Sequence, residues 1–220
     1  YGYLTDFELV ETNIEHRYVE NDKESNKVTI SVTNLEPYNG DKSNISYEST
    51  NLGKATVDEN GVVTILEGGE VVIKVHGEQE DGTLITKEVT IKVERYATSI
   101  VGDDINSNSK EVTLVDGNGF TMLPADNTDT PIVEVGSSLA TYSSGKLVFS
   151  QPGIVNVTIY NSTKSVSKTI KVSYLPSGET YKTYTISEDG QEIEVEYGEE
   201  FILVFDPELG IGKTSYSNFN

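Results

Sequence analysis

The chain has 220 residues, no cysteine, and 36 acidic against 16 basic residues, which leaves a formal net charge of −20 at pH 7. The absence of cysteine excludes disulfides, thiolate metal sites and cysteine nucleophiles, so stability must come from core burial. The negative charge repels phosphates and anionic lipids at long range, and no apolar run approaches the roughly 20 residues of a membrane-spanning helix. The composition therefore argues against nucleic-acid binding and against direct membrane insertion.

Apolar residues alternate with polar ones along several segments, and no apolar period of 3.6 residues persists for three turns. The alternating residues are Val28, Ile30, Val32; Val71, Ile73, Val75; and Val89, Ile91, Val93. Alternation of this kind places one face of a strand in a core and the other in water. The pattern predicts an all-β chain built of antiparallel sheets.

Glycine-containing turns separate the predicted strands at short intervals. They are Asn60-Gly61, Gly68-Gly69 and Asp81-Gly82. Such pairs supply the positive φ that a tight hairpin requires. Short strands with a turn every eight to twelve residues are typical of a β-sandwich or barrel.

An internal repeat with a period of 84 residues organises the chain. Val28-Thr29-Ile30 matches Val112-Thr113-Leu114, Gly61 matches Gly145, and Gly69 matches Gly153, while Ala55-Thr56 recurs one residue out of phase as Ala140-Thr141. In each copy an alternating strand follows the second glycine, over 71–75 and 155–159, and a closing strand follows that one. A repeat of this length predicts two tandem sandwiches.

Residues 178–220 are interpreted as the first half of a third copy. The linker Leu175-Pro176-Ser177-Gly178 interrupts the strands, residues 200–205 correspond to the strand around 28–32, and Ser215-Tyr216 resembles Ser46-Tyr47. The expected domains are 1–96, 97–177 and the partial 178–220. We expect the remaining strands to follow in a longer protein, the alternative being completion by a neighbouring subunit.

Residues 46–93 carry a recognisable motif. An aromatic residue, Tyr47, precedes Ser49-Thr50; Ala55-Thr56-Val57-Asp58 and Asn60-Gly61-Val62-Val63 follow, and Gly69 precedes a strand. This motif resembles the bacterial immunoglobulin-like domain, group 2, although that family commonly has Trp where Tyr47 stands. The second copy keeps Ala140-Thr141, Ser144-Gly145 and Pro152-Gly153. The resemblance implies tandem Greek-key sandwiches, two complete and a third partial, with no shared catalytic residues.

The resemblance also implies a location and a role. Domains of this kind are strung along bacterial surface proteins and adhesins and also occur on phage virions. We therefore expect an extracellular, non-enzymatic structural or adhesive rod segment, with an unidentified glycan or protein ligand. The alternatives are a phage tail or capsid appendage that binds host glycans, and an accessory module of a secreted carbohydrate-active enzyme. Assembly into a larger filament or virion is compatible with each.

Two oxygen-rich segments are candidates for calcium, the one cofactor that the sequence suggests. Asp116-Gly-Asn118-Gly resembles part of a calcium loop but lacks its distal glutamate, and Asp103-Asp104 with Asn106 lies near the predicted domain junction. Each segment is more simply explained as a polar turn. Calcium at the junction would stiffen a rod by crosslinking two modules.

The remaining polar motifs do not predict a site. His16 and His76 lack metal-ligand spacing, and no nucleophile elbow is present. The acceptor patterns at Asn44, Asn156 and Asn161 are read as chance matches in a prokaryotic or viral protein. Tyr47 and Tyr142 are expected to pack inward and Tyr1, Tyr3, Tyr38 and Tyr181 outward.

If Asp103, Asp104, Asn106, Asp116 and Asn118 bind calcium, millimolar calcium will raise the melting temperature relative to chelator, because a ligand of the folded state stabilises it. Differential scanning calorimetry of the chain in calcium, magnesium and chelator measures this shift. An unchanged melting temperature counts against a calcium site at either segment.

Overall fold

A computed structural model describes residues 2–38, 40–176, 182–196 and 199–209. The regular structure in these ranges consists of β-strands and two short 3₁₀ helices, Lys42–Asn44 and Pro207–Leu209. Neither helix, nor any other helix within the described ranges, has the length and apolar character to cross a bilayer.

The chain forms two compact units. The first comprises Tyr1–Ala97 together with Pro124–Asp129, and the second comprises Thr98–Leu123 and Thr130–Asn220. A short segment from within the second repeat is thus counted with the first unit. The division into three domains at 96/97 and 177/178 stays a prediction.

Nine strands build the first unit. They are β1 (Asp6–Leu9), β2 (Asn13–Arg17), β3 (Lys27–Thr29), β4 (Val32–Glu36), β5 (Ile45–Ser49), β6 (Ala55–Val57), β7 (Val62–Ile65), β8 (Gly69–Glu78) and β9 (Leu84–Glu94). The strand order is β2-β9-β8-β5 in one sheet, β3-β7-β6 in a second, and β1-β4 in a two-stranded sheet. All pairings are antiparallel except β2 with β9, which is parallel.

The core of the first unit lies where the alternating residues point inward. Val71, Ile73 and Val75 of β8 are buried, as are Val89, Ile91 and Val93 of β9. Val63 and Ile65 of β7 belong to the same buried cluster, together with Phe7. The intervening residues of β8 and β9 are half-buried or exposed, so each strand has the two-faced character that its alternation predicts.

The second unit repeats most of this arrangement. Its strands are β10 (Ser99–Val101), β11 (Ile105–Ser107), β12 (Glu111–Thr113), β13 (Val115–Asp116), β14 (Gly119–Leu123), β15 (Ile132–Val135), β16 (Ala140–Ser143), β17 (Lys146–Phe149), β18 (Gly153–Tyr160) and β19 (Ser167–Tyr174). The orders β11-β19-β18-β15 and β12-β17-β16 match those of the first unit, with β11 again parallel to β19. The pair β10-β14 corresponds to β1-β4, and β13 adds a third strand that is parallel to β14. The predicted all-β fold of tandem immunoglobulin-like sandwiches is confirmed.

The repeat extends to individual hydrogen bonds. The Ile30 amide donates to the Gly61 carbonyl at 2.9 Å, and the Leu114 amide donates to the Gly145 carbonyl at 2.8 Å. Both glycines have a left-handed φ, +77° and +80°, at the turn of a hairpin. The 84-residue offset therefore reflects one backbone design used twice.

The structure corrects one predicted strand. Val28, Ile30 and Val32 were expected to lie on a single strand, but β3 ends at Thr29 and β4 begins at Val32. Ser31 lies at the crossing, where its carbonyl accepts a hydrogen bond from the Val10 amide at 3.0 Å. The chain leaves the β3-β7-β6 sheet here and joins β1, so alternation continues although the sheet changes.

Beyond the second repeat, the described residues form a two-stranded parallel sheet of β20 (Lys182–Ile186) and β21 (Phe201–Phe205). These two strands belong to the second unit. Residues 200–205 are therefore extended as expected, although their partner β20 is parallel, whereas β3 pairs antiparallel with β7. The Ser215-Tyr216 segment lies outside the described residues.

The hairpin at Gly61 yields a stability prediction. Its φ is +77°, and an added Cβ would lie 2.7 Å from the Tyr47 ring and 2.9 Å from the Ile30 carbonyl oxygen. Gly82 has a similar φ of +80° with no atom within 4 Å of an added Cβ, so Gly82→Ala is a matched control. We expect Gly82→Ala to cost about 1–2 kcal/mol from backbone strain. Gly61→Ala should cost a further ~1–3 kcal/mol from overpacking against Tyr47.

Urea unfolding of both variants, followed by tyrosine fluorescence and circular dichroism, measures the two free energies. Equal losses in Gly61→Ala and Gly82→Ala would contradict the tight packing of Tyr47 beneath this turn.

Candidate functional site

An open pocket of about 640 Å³ lies in the second unit, at the loop between β10 and β11 and the turn between β13 and β14. Asp103 and Asp104 line it from the loop, and Gly117 and Gly119 line it from the turn. A Cβ on Gly102 would lie only 3.1 Å from the Gly119 carbonyl oxygen, so the two backbones are close neighbours. The fold thus brings the two predicted calcium segments to one place. The remaining lining residues are Ile100, Val101, Ile105, Phe120, Thr121 and Lys168.

Three of the five calcium candidates already accept hydrogen bonds from the chain. Asp104 Oδ1 accepts from the Lys171 amide at 2.7 Å, and Asp116 Oδ1 accepts from the Met122 amide at 2.8 Å. Asn106 Oδ1 accepts from Ser173 Oγ at 2.7 Å. These bonds fix the loop and the turn, which is the role that the polar-turn interpretation assigns to them.

The charges around the pocket are mixed. Asp103 is exposed at its rim, and the Lys168 ammonium contributes a positive charge to the same lining. Among the described residues, no three histidine, cysteine, aspartate or glutamate side chains gather closely enough to hold a metal ion. Calcium binding stays a prediction.

His76 forms a hydroxyl–imidazole–carboxylate row that the sequence did not reveal. Its Nδ1 lies 2.8 Å from Thr86 Oγ1 and its Nε2 lies 3.3 Å from Glu48 Oε2. Thr86 on β9 lies directly opposite His76 on β8, and Glu48 on β5 lies diagonally from it, opposite Lys74. Thr86 and Glu48 are exposed. The row lies on an open sheet surface and does not line the pocket, so we interpret it as a set of cross-strand polar contacts.

The tyrosines that the structure describes lie largely as expected. Tyr47 and Tyr142 are half-buried, and the Tyr142 hydroxyl donates to the Leu114 carbonyl at 3.0 Å. Tyr3 and Tyr38 are exposed, whereas Tyr1 and Tyr181 lie outside the described residues.

The three acceptor asparagines are engaged in different ways. Asn161 is fully buried, and its Oδ1 accepts from the Ser165 amide at 2.8 Å. Asn156 lies within β18, and the Asn44 side-chain amide donates to the Gly2 carbonyl at 3.2 Å. Asn161 is buried and hydrogen-bonded, and Asn156 lies within a strand, which agrees with interpreting those two patterns as chance matches.

The two arginines of the chain meet in the first unit. Arg17 and Arg95 are each followed by tyrosine, at Tyr18 and Tyr96. The Arg17 guanidinium carbon lies 4.4 Å from the Tyr96 ring centre, and that of Arg95 lies 4.2 Å from the Tyr18 ring centre. Because β2 and β9 run parallel, the Arg-Tyr dipeptides at their C-terminal ends lie at the same end of the sheet. Each arginine therefore stacks on the tyrosine of the other dipeptide.

Arg95 also joins two carboxylates. Its Nε lies 2.7 Å from Glu20, and its Nη1 lies 2.5 Å from Asp126 Oδ2, which also accepts from the Gly68 amide at 2.7 Å. Hydrogen bonding to Glu20 is the main cause of a raised pKa for Arg95. Burial by itself raises the pKa of the Asp126 carboxyl, but the bonds from Gly68 and Arg95 hold it below the ordinary value of 3.8.

The sequence held a partial signal for this cluster. Two arginines in the whole chain, both followed by tyrosine, are visible without coordinates. Their mutual stacking depends on the parallel pairing of β2 with β9, which strand alternation does not specify. Asp126 could be assigned to the cluster only from the structure.

No protein-family model matches the chain. No curated protein matches it either. Several solved structures do, at low identity.

Cadherin-domain structures are among these matches. Extracellular domains 1–4 of protocadherin gamma B7 are 12% identical, with a TM-score of 0.34 over 76% of this chain and 49% of that one. Domains 1–4 of Drosophila N-cadherin give the same values of 12%, 0.34, 76% and 49%. This chain spans about half the length of these cadherin structures.

Domains 4 and 5 of the S-layer protein SbsC are 18% identical, with a TM-score of 0.29 over 79% of this chain and 99% of that one. Because these scores are low, the fold assignment rests on the strand pairing of the chain itself.

The lowered pKa of Asp126 gives a pH prediction. A carboxyl whose pKa is depressed by folding stabilises the protein above the unfolded value, and this contribution disappears as pH falls through the folded value. We therefore expect the stability difference between the native chain and Asp126→Asn to be constant above about pH 5 and to shrink below about pH 4.

Urea unfolding of both proteins at a series of pH values measures that difference. Taking the difference removes the contribution of the other carboxyls to the pH dependence, because they titrate in both proteins. A difference that does not change between neutral and acid pH would show that the charge of Asp126 is unimportant.

Proposed function

We propose that this chain is a non-catalytic, load-bearing segment of a bacterial surface protein, in which tandem immunoglobulin-like sandwiches of the group 2 type space or present a distal adhesive function. The observation that carries the proposal is the parallel pairing of an early strand with the last long strand of the sandwich in both units. β2 pairs with β9 over 13–17 and 90–94, and β11 pairs with β19 over 105–107 and 172–174.

Parallel pairing has a mechanical consequence. Two parallel neighbours run in the same direction, so the chain enters the ladder at one end of the unit and leaves it at the other. Tension applied to the two ends of a unit then acts along the strands and strains all the ladder hydrogen bonds together. A hairpin pulled from its open end would instead lose its hydrogen bonds one at a time.

The charge and the surface chemistry support the same role. A net charge of −20 keeps such a segment solvated and separated from like-charged neighbours. The pocket in the second unit carries polar groups suited to a ligand, and the His76 row is best explained as sheet packing. We propose a glycan or a protein as the adhesive partner, with the location at the cell surface.

The first unit offers a matched pair of substitutions for a mechanical test. At the two ends of the β2–β9 ladder, the Thr90 amide donates to the Thr12 carbonyl and the Tyr18 amide donates to the Glu94 carbonyl. Donors alternate along a parallel strand, so the amide of His16 faces β9 and that of Glu15 faces away. β2 is an edge strand, so the Glu15 amide has no strand partner in its sheet.

We expect His16→Pro to lower the force at which the first unit unfolds, because proline removes a loaded hydrogen bond, and Glu15→Pro to leave that force nearly unchanged. Single-molecule pulling on the chain by its two ends measures both. His16→Ala controls for the imidazole, whose Nε2 lies 3.3 Å from Asn26 Oδ1. Extension of the native chain without force steps would overturn the load-bearing proposal, and hydrolytic activity of the chain would overturn its non-catalytic part.

A further inference from the structure

Residues 124–129 make a second set of contacts in the first unit, beyond the Asp126 carboxylate. The Thr128 amide donates to the Arg95 carbonyl at 2.8 Å, and the Arg95 amide donates to Thr128 Oγ1 at 3.0 Å. Two residues further on, the Ala97 amide donates to Asp129 Oδ2 at 2.5 Å. The Thr128 hydroxyl also lies 3.3 Å from the Arg95 carbonyl, so the segment contacts the backbone that follows β9 at several points in addition to those of Asp126.

Residues 124–129 pack closely against Gly68, and we call this packing surface the seat of the segment. A Cβ at Gly68 would lie 2.3 Å from the Asp126 carbonyl oxygen and 2.8 Å from Arg95 Cβ, so no other residue fits without displacing the backbone of 126. Its neighbour Gly69 has a φ of +97°, whereas the φ of Gly68 is not left-handed. Gly69 is therefore needed for the turn, and Gly68 is needed for the close approach of residue 126.

Arg95 is held in place from the other side. Glu20 binds its Nε and Nη2 at 2.7 and 2.9 Å, and the Tyr18 ring covers its face. The side chain is only 14% exposed, and that of Asp126 is 20% exposed. An ion pair that is this sheltered and fixed by further hydrogen bonds is stronger than one between flexible surface side chains.

We propose that Pro124–Asp129 is a latch, seated on Gly68 and Arg95, without which the first unit does not reach its full stability. The residues on both sides of the latch, Thr98–Leu123 and the chain from Thr130 onward, are counted with the second unit. The first sandwich is therefore completed by residues that follow it in the chain. This inference is independent of the proposed load-bearing function.

The latch makes a specific prediction for amide exchange in the full chain. Asp126→Ala removes the acceptor for Gly68 and Arg95, and Gly68→Ala blocks the seat while leaving the carboxylate intact. Because a hydrogen bond to a charged group is among the stronger ones, we expect the Ala97 and Thr128 amides to exchange about tenfold faster or more in both variants. Nuclear magnetic resonance of the labelled chain resolves these amides individually.

Two controls separate the latch from general destabilisation. Glu20→Gln weakens the other ion pair of Arg95 without touching the segment, and we expect it to leave the Thr128 and Ala97 amides protected. The Val155 and Val157 amides in the core of the second unit report whether that unit remains folded in each variant. If Asp126→Ala fails to fold, the isosteric Asp126→Asn takes its place in the same measurement.

The result that overturns the latch is retained protection of Ala97 and Thr128 in both the Asp126 and the Gly68 variants. Equal acceleration in Glu20→Gln also overturns it, because the effect would then follow Arg95 and not the segment. Neither result bears on the force steps of the native chain, so failure of the latch is distinguishable from failure of the proposed function.

Discussion

Each sandwich depends on the pairing of its last strand with two partners. In the first unit β9 is hydrogen-bonded to β8 on one side and to β2 on the other, and its residues Val89, Ile91 and Val93 are buried in the core. Removing β9 would leave β2 without a partner, expose one edge of β8 and open the core to water. The pairing with β2 joins residues from opposite ends of the repeat, so the loop that closes it is nearly the whole unit. Folding is therefore expected to be slow and strongly cooperative.

The sequence predicts those features of the fold that depend on local chemistry. Alternation identified β8 and β9 because each strand has one wet and one buried face, and the glycines identified the hairpins because positive φ is a local requirement. The 84-residue repeat then predicted that both units share one topology. The break between Thr29 and Val32 was missed, because a strand that changes sheets without changing its inward face keeps its alternation.

The candidate sites were predicted less well, since they depend on contacts between distant residues. The two calcium segments do meet at one pocket, yet the oxygens of Asp104, Asn106 and Asp116 are engaged in hydrogen bonds that no sequence pattern announces. Gly68 and Gly69 illustrate the limit most clearly. Both are read as turn residues in the sequence, but one is required by its own φ and the other by residue 126, which lies 58 positions away.

The ion pairs of the chain differ in how far they are sheltered from solvent. Lys27 with Glu24 and Lys146 with Glu111 are exposed pairs, each worth roughly 0.2–1 kcal/mol in proteins generally. Arg95 differs because it is sheltered, stacked on Tyr18 and bonded to two carboxylates. In a chain with a net charge of −20, a cation that neutralises two neighbouring carboxylates relieves repulsion as well as making bonds.

The arginine cluster lies at one end of the parallel β2–β9 ladder in the first unit. The last register pair of the ladder is Arg17 with Glu94, and the stacks of Arg17 on Tyr96 and of Arg95 on Tyr18 continue the association of the two segments past it. Opening the ladder from this end requires that both stacks separate and that Arg95 release Glu20. A strand pair loaded in shear is weakest at its ends, where a hydrogen bond has neighbours on one side only. Contacts that extend beyond the last hydrogen bond therefore reinforce the ladder at the point where separation would begin.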